Sequence, residues 1–427
     1  METEADREKI RSLDRPALEV YQLERLNQLL REVLPQNKFY AKKLSGLKIP
    51  IERISDLSKL PFTSKEELVG DDPHGWARNR TFEIEKYTRF HQTSGTQGQP
   101  LILLDTPEDW RWWTDAWQYV LDAAQITSND RCFLAFSFGP FIGFWSAFDA
   151  LIQRGCLAIP SGGLSSVARL DRITTVAATC LLCTPSYALR LAEVAQEHSQ
   201  DLRRSTVRTI VVAGEPGGSL TSVRAQIENA WDAKVLDHAG ATEIGPWGFG
   251  ELSGPGLYVN EGEFIAECID PETTEPVEEN QTGELVLTSL GRAGHPMLRY
   301  RTGDLVRFNA PKTNENIQFV YLAEGILGRT DQMLIIRGVN ILPSAVEQII
   351  RGFSDVCEFR ITANRIGAMD ELKVEVEADQ DRATQISEQL QINLGLRIDV
   401  KSLPARTLPR FEGKAKRFID HRPKEDE

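Results

Sequence analysis

The sequence predicts an α/β protein: parallel sheet in a large N-terminal part, a small barrel-like β subdomain, and a smaller α+β unit at the C-terminal end. Three stretches carry that prediction. From residue 131 to about 250, short apolar runs at 132–137, 156–159, 179–183, 209–213 and 234–237 alternate with helical patterns. That alternation is the pattern of strand–helix–strand units in a largely parallel sheet. Residues 257–308 change character: YVN, EFIAECI, GELVLTSL and DLVRF are joined by turns such as Asp270-Pro271, which suits an antiparallel or barrel-like arrangement. Past about residue 330, FRITA and ELKVEVEA read as strands (Leu372, Val374 and Val376 alternate), 382–394 as a helix and 398–403 as another strand. This last stretch is about 100 residues, the size of a separate domain.

The elements before residue 131 follow the same logic. Leu18, Tyr21, Leu26, Leu29, Leu30, Val33 and Leu34 recur at helical spacing, and Pro35 closes that helix. In ISDLSKLPFTSKEELV, Thr63 or Ser64 is placed to cap a short helix. Residues 86–104 read as strand, polar glycine turn, strand. Residues 107–125 read as a helix carrying Trp110, Trp112, Trp113 and Trp117. Cys132 to Ile152 is 21 residues with only Ser137, Ser146 and Asp149 clearly polar, long enough to span a bilayer. The favoured reading is strand, turn and buried helix, broken at Gly139-Pro140, because Asp149 would be costly in lipid and Arg131 and Arg154 flank both ends equally. No internal repeat or low-complexity linker stands out, and the charged tail from His421 to Glu427 is expected to fray.

Composition narrows the function. The 427 residues make about three domains' worth at roughly 100–200 residues each. Lys and Arg number 49 against 62 Asp and Glu, a net charge of −13, which argues against a general nucleic-acid or anionic-membrane binder. Charged residues at 26% and hydrophobic residues at 41% are ordinary globular usage, so disorder is not expected. Six cysteines make no disulfide scaffold, and Met1 to Glu19 holds no apolar stretch of a secretory signal, so a reducing, cytoplasmic setting is the expectation. Cys180 and Cys183 form a C-x-x-C inside an apolar run, with no second pair or histidine nearby. Buried thiols are expected there in preference to a metal or redox site.

Five short motifs carry the chemistry. Thr93-Ser94-Gly95-Thr96-Gln97-Gly98-Gln99-Pro100 sets two glycines among hydroxyls between two strands. Such a loop offers backbone N–H and hydroxyl donors to a polyphosphate. Its spacing is not that of a Walker loop, and in isolation it reads equally well as a plain hairpin turn. Gly240-Ala241-Thr242-Glu243-Ile244-Gly245-Pro246 is a strand-to-loop turn bearing an acid, and Tyr300-Arg301-Thr302-Gly303-Asp304-Leu305 is a Gly-Asp turn at a strand. Gly328-Arg329-Thr330-Asp331 runs into LIIRGVN and then PSAVE. Glu412-Gly413-Lys414-Ala415-Lys416-Arg417 lies near the C-terminus and would, alone, be a solvated basic cluster.

Together, in this order and at these separations, the five motifs resemble the adenylate-forming (acyl-CoA synthetase-like) superfamily and, within it, the phenylacetate–CoA ligase branch. The resemblance runs nearly end to end and takes in LPFTSKEEL, Gly214-Glu215-Pro216, IDPET and GRTDQMLIIRGVNILPSAVE. It implies activation of a carboxylic acid in two steps. The carboxylate attacks the α-phosphorus of ATP, giving an acyl-adenylate and pyrophosphate; the thiol of CoA then displaces AMP. Catalysis of the first step is positioning and charge stabilisation.

The resemblance also implies residue roles. Ser94, Gly95, Thr96, Gln97 and Gly98 would hold the β- and γ-phosphates. Gly214, Glu215 and Pro216 would lie beside adenine, with His238, Ala239 and Gly240 on the same nucleotide. Thr242 would donate to the α-phosphate. Glu243 would hold Mg²⁺, a hard cation that keeps water and phosphate oxygen as its other ligands. Asp304 would accept from the ribose hydroxyls with Arg329 in support, and Lys414 would reach the α-phosphate and the substrate carboxylate. Residues 1–329 would form the adenylation domain and 330–427 a small mobile domain, with Asp331 at the hinge and Gly338 facing the CoA tunnel. Lys414 would leave the site after adenylation.

Phe138, Phe141 and Trp145, with Ala213 and Pro246 across from them, would line a flat aromatic slot for an aryl acid. Core packing of the same rings is the alternative. Ala239 departs from the family's pattern, which has an aromatic against adenine there, with His238 beside it to compensate. Gln97 and Gln99 replace the usual threonine and lysine of the loop. The expected function is an ATP-dependent carboxylate–CoA ligase acting on phenylacetate or a related aryl acid, with ATP, Mg²⁺ and coenzyme A. Its partners would be small molecules, with a homodimer allowed and no nucleic acid or membrane span. Two other readings stay open: an adenylate-forming enzyme with another acceptor (a carrier-protein thiol or a deazaflavin), and a nucleotide-binding protein on a degenerate ligase fold. Retention of Glu243, Asp304 and Lys414 speaks against the last.

Overall fold

The computed structural model describes residues 3–70, 72, 74–93, 100–143, 145–311, 316–336, 339–353, 355–366, 369–411 and 415–422. The predicted site residues Ser94, Gly95, Thr96, Gln97, Gly98, Gly338 and Lys414, and the departure at Gln99, lie outside the described residues.

An eight-stranded sheet organises the larger part of the chain. Its order is Tyr321–Leu322, Gly254–Val259, Gly245–Glu251, Lys234–Ala241, Thr209–Ala213, Cys180–Cys183, Arg131–Leu134 and Leu157–Pro160. The last five are parallel, and they are the five apolar runs expected as strands. Pairing turns antiparallel from Lys234–Ala241 to Gly245–Glu251 and onward. Strands buried on both faces need apolar residues at every position. Val211 and Leu236 point into one core with Trp117 and Phe249, whereas Val212 and Val235 point into the other with Leu191 and Trp231. Cys180 falls in the first core and Cys183 in the second, because strand residues three apart face opposite ways. Among the described residues, no group of three or more His, Cys, Asp or Glu is gathered as metal ligands.

No helix among the described residues is long and apolar enough to cross a membrane. The apolar stretch from Cys132 divides into the strand Arg131–Leu134 and the helix Trp145–Arg154. Asp149 within it accepts from Trp110 Nε1 at 2.7 Å and from Arg89 Nη2 at 2.9 Å.

A second sheet is antiparallel throughout, in the order Phe264–Ile269, Thr282–Ser289, Tyr300–Arg307, Gly328–Arg329. It matches the antiparallel reading of this stretch and adds two details. Among the described residues its strands form an open row, and the strand containing YVN, Gly254–Val259, belongs to the large sheet instead. The tryptophan-rich helix Pro107–Ala123 joins the two sheets. It opens with Pro at its first position and a capping box in which Thr106 and Asp109 satisfy each other's backbone N–H. Trp117 packs into the core of the large sheet, while Trp112 and Trp113 pack with Phe264, Leu285 and Leu287 of the second.

The C-terminal stretch has a core of its own. Its sheet runs Asp399–Leu403, Met369–Glu377, Phe359–Ile366, Phe418–Asp420. Ile361, Val374 and Val376 pack against Val346 and Ile350 of the helix Pro343–Arg351 and against Ile386 and Leu390 of the helix Gln380–Leu394.

Candidate active site

Gly214 to Pro216 and His238 to Glu243 lie where the parallel strands end and antiparallel pairing begins, the kind of position at which an open α/β sheet leaves a crevice. Three strands release their chains here: Cys180–Cys183 into Thr184 and Ser186, Thr209–Ala213 into Gly214 to Pro216, and Lys234–Ala241 into Thr242 and Glu243. The loop after Thr209–Ala213 depends on glycine. Gly214 has φ +92°, a Cβ on Gly217 would lie 2.4 Å from Pro185, and one on Gly218 would lie 2.5 Å from Asp237.

The Thr242–Glu243 turn is pinned from below by Arg292. This side chain is fully buried; its Nη1 donates to the carbonyls of Thr242 and Glu243, each at 3.0 Å, and its Nε donates to Asp105 Oδ1 at 2.7 Å. Burial by itself would raise the Asp105 carboxyl, but Arg292 and then His91, whose Nδ1 is 3.4 Å away, hold it down at about 2. Asp105 and His91 sit on the paired strands Ile102–Asp105 and Arg89–Gln92, which bracket the predicted phosphate loop. One arginine therefore ties that hairpin to the turn carrying Glu243.

Lys65 was not singled out from the sequence, yet its Nζ lies 3.0 Å from Glu243 Oε1. The segment carrying it runs beside the second sheet: Thr63 N donates to the Arg299 carbonyl and Arg301 N to the Thr63 carbonyl, both at 2.9 Å. Ser64 then caps the short helix Lys65–Leu68 through a capping box with Glu67. The only sequence signal was the LPFTSKEEL stretch, which says nothing of a partner near residue 243. The Glu243 side chain is 12% exposed. A single hard carboxylate fits Mg²⁺, which takes its remaining ligands from water and phosphate.

Asp304 and Arg329 are register partners across adjacent strands. Arg329 Nη1 donates to Asp304 Oδ1 at 3.2 Å and its Nε donates to Asp331 Oδ1 at 3.0 Å, so the ribose candidate, its support and the hinge candidate form one chain of charges. Gly303, next to Asp304, has φ +75°, the conformation that favours glycine. Burial pushes the Asp304 carboxyl up to about 6; Arg329 opposes this and the charges of Glu243 and Asp331 add to it.

His238 and Ala239 face opposite sides of their strand. His238 packs on Trp117 with ring centres 4.1 Å apart, and its Nδ1 is 2.7 Å from the Gly248 carbonyl. Burial lowers its pKa to about 4, so the ring is neutral at pH 7. Ala239 packs with Ile244 and Trp247 on the other face, and the His238 ring is directed away from it. Phe138 and Trp145 meet edge to face at 4.7 Å, and Trp145 Nε1 donates to the Gly139 carbonyl at 3.0 Å. Phe141 is 47% exposed, while Ala213 and Pro246 are buried at the adjoining strand ends. The C-terminal domain reaches this region through Ala415, whose N–H donates to Glu215 Oε2 at 2.8 Å.

Residues 65–293 match the family described as AMP-binding enzyme, and residues 338–422 match the AMP-binding enzyme C-terminal domain. The phenylacetate-coenzyme A ligase of Pseudomonas putida is 31% identical over 95% of this chain and 94% of its own length. The enzyme of the same name from Escherichia coli (strain K12) is 29% identical, over 95% of each chain. Among solved structures, 2-hydroxyisobutyryl-CoA ligase in the postadenylation state, in complex with 2-HIB-AMP, superposes with a TM-score of 0.89 at 26% identity, covering 98% of this chain and 94% of its own. The same ligase in the thioesterification state, with 2-HIB-AMP and CoA, gives 0.73 at 27% identity, covering 99% and 94%.

Proposed function

The chain belongs to the AMP-binding enzyme family, and from that premise we propose that the acid it activates is phenylacetate or a related aryl acid. It is an ATP-dependent carboxylate–CoA ligase that works through an acyl-adenylate, with ATP, Mg²⁺ and CoA as its cofactors and co-substrate. The observation that carries the choice of acid is the edge-to-face pair of Phe138 and Trp145 beside the strand ends. An aromatic ring docked against such a pair gains about 0.5–1.5 kcal/mol beyond its buried area.

In this reading Gly214 to Pro216 and Ala239–Gly240 border the adenine, and ionised Asp304 accepts from the ribose with Arg329 orienting it. Thr242 donates to the α-phosphate, and Ser94 to Gly98 take the outer phosphates. Bound Mg²⁺ supplies charge neutralisation on the phosphates, and Glu243 is the residue to hold it. Arg292 keeps the Thr242–Glu243 turn in place, and Lys414 stabilises charge as the anhydride forms. The domains divide at 329/330 with Asp331 as hinge. A cytoplasmic setting suits six free cysteines, of which five are buried; a homodimer is part of the proposal and is read by sedimentation.

The test is pyrophosphate release with ATP, Mg²⁺ and a panel of acids, each with and without CoA. Sustained turnover only with CoA, for phenylacetate and its ring-substituted relatives, is expected. A preference for small branched 2-hydroxy acids, as the name of the structural neighbour suggests, or for long-chain acids would reject the aryl slot. Release indifferent to CoA would point to another acceptor.

A further inference from the structure

Glu215 makes contacts that adenine binding does not call for. Its Oε1 accepts the N–H of Ser186 at 2.7 Å, and its Oε2 accepts the N–H of Ala415 at 2.8 Å. Ser186 stands in the first turn of the helix Pro185–Glu197, where backbone N–H groups lack intrahelical partners and the helix dipole favours a carboxylate. Ala415 belongs to the C-terminal stretch and is the covalent neighbour of Lys414. One carboxylate thus holds backbone donors from both sides of the domain boundary, and hydrogen bonds to a charged acceptor are the strong kind.

A second strut runs beside the first. Arg417 Nη1 donates to Ser186 Oγ at 2.8 Å, while its Nη2 donates to Glu358 Oε2 at 2.9 Å within the C-terminal sheet and its Nε also bonds Glu358. Arg417 is therefore preset by its own domain before it reaches Ser186. Among the described residues the ion pairs across the boundary, Arg406 with Glu197 at 3.0 Å and Arg410 with Glu193 at 3.7 Å, are more exposed, and Gln226 Nε2 and Ser344 Oγ donate to the Arg351 and Leu327 carbonyls at 3.4 and 2.5 Å. Exposed pairs of that kind contribute little, and among the described contacts across the boundary only Glu215 brings a carboxylate to backbone donors of both domains.

We propose that Glu215 and Ser186 form an interdomain latch that holds the C-terminal domain in the adenylate-forming arrangement, with Glu215 a positioning residue for that half-reaction. The proposal rests on the two-step ligase reading above. The latch must open before CoA attacks, so its strength sets the balance between the two half-reactions.

The experiment measures both halves in the full-length chain for Glu215→Ala, Glu215→Gln and Ser186→Ala. Adenylation is read as single-turnover pyrophosphate release at saturating ATP, and thioester formation is read from supplied acyl-adenylate and CoA. Glu215→Ala is expected to lower the ratio of adenylation to thioester formation by about tenfold, and Glu215→Gln and Ser186→Ala by about two- to fivefold. Gln keeps an acceptor oxygen without the charge, and Ser186→Ala removes only the Arg417 strut. Equal loss in both halves, or an unchanged ratio, would overturn the latch and leave Glu215 as a wall of the nucleotide site. If Glu215→Ala does not fold, the other two variants decide by the same ratio. Absence of pyrophosphate release by the unaltered protein with every acid would refute the ligase reading itself, a result distinct from failure of the latch.

Discussion

Replacing Arg292 by methionine keeps most of the side-chain volume and deletes the charge and its donors. The structure supplies the magnitude. Asp105, with no exposed side-chain surface, loses a partner at 2.7 Å, and removing one member of a buried ion pair costs about 3–5 kcal/mol. The Thr242 and Glu243 carbonyls each lose a donor at 3.0 Å, which adds about 1–2 kcal/mol where water does not replace it. The methionine stem offsets part of this by packing on Trp113, over whose ring the guanidinium now lies at 5.2 Å. The expected net loss is about 3–5 kcal/mol. The effect on rate is separate: a turn that relaxes by about 1 Å slows adenylation roughly a hundredfold. Arg292→Lys should recover stability better than rate, because the ammonium keeps the charge but not the fork that spans two carbonyls and a carboxylate.

The assay is the urea-unfolding midpoint of the parent, Arg292→Met, Asp105→Asn and the double variant, alongside Mg²⁺-dependent pyrophosphate release. Removing both charges leaves no unpaired buried charge, so the double variant should be more stable than Arg292→Met alone. The acid side offers a further sign. Asp105 is depressed to about 2 from 3.8, so its contribution is complete above the unfolded value and is lost as pH falls through the folded one. Arg292→Met should flatten that acid-side loss. A stability change under about 1 kcal/mol, or a double variant no better than Arg292→Met, would falsify the anchoring role.

Three other outcomes follow from the site. Lys414→Ala should lose adenylate formation by about a hundredfold or more while keeping thioester formation from supplied acyl-adenylate; equal loss of both halves would remove its assigned role. With Asp304 at about 6, above the ordinary 3.8, the folded protein holds that proton where the unfolded chain releases it. Its contribution to stability is thus complete below the unfolded value and is lost as pH rises through the folded one. Ribose binding has the opposite sign, because it needs the ionised form: calorimetric affinity for AMP should fall about tenfold from pH 7 to 5, and a profile unchanged in Asp304→Asn would contradict the assignment. Glu243→Gln should raise the Mg²⁺ concentration for half-maximal adenylation about tenfold; an unaltered Mg²⁺ titration would place the metal elsewhere.

Much of the fold was legible because it is written locally. The inner parallel strands were readable as apolar runs, since a strand covered on both faces has no polar position to hide; the edge strand Leu157–Pro160 is partly exposed and was readable from its apolar residues alone. The antiparallel strands were readable too, but not their allocation: Gly254–Val259 joins the large sheet, through pairing with Gly245–Glu251, and no residue in YVN encodes which neighbour it meets. In the candidate site, Thr242, Glu243, Asp304 and Arg329 stood in recognisable turns. Arg292 did not, because one arginine in Gly291-Arg292-Ala293-Gly294 reads as a surface loop until the fold buries it.

By itself the sequence determined the succession of elements, the motifs of an adenylate-forming enzyme and the glycine positions that turns and close approaches require. These depend on residues near one another in the chain, where backbone conformation and side-chain period act directly. Tertiary structure alone decided that Lys65 meets Glu243, that Arg292 joins Asp105 to the Thr242–Glu243 turn, that His238 turns away from Ala239's face, and that Glu215 bridges Ser186 and Ala415. Each of these relations is set by the packing of segments distant in sequence, and a polar contact near 3 Å exists only when both have been brought into register.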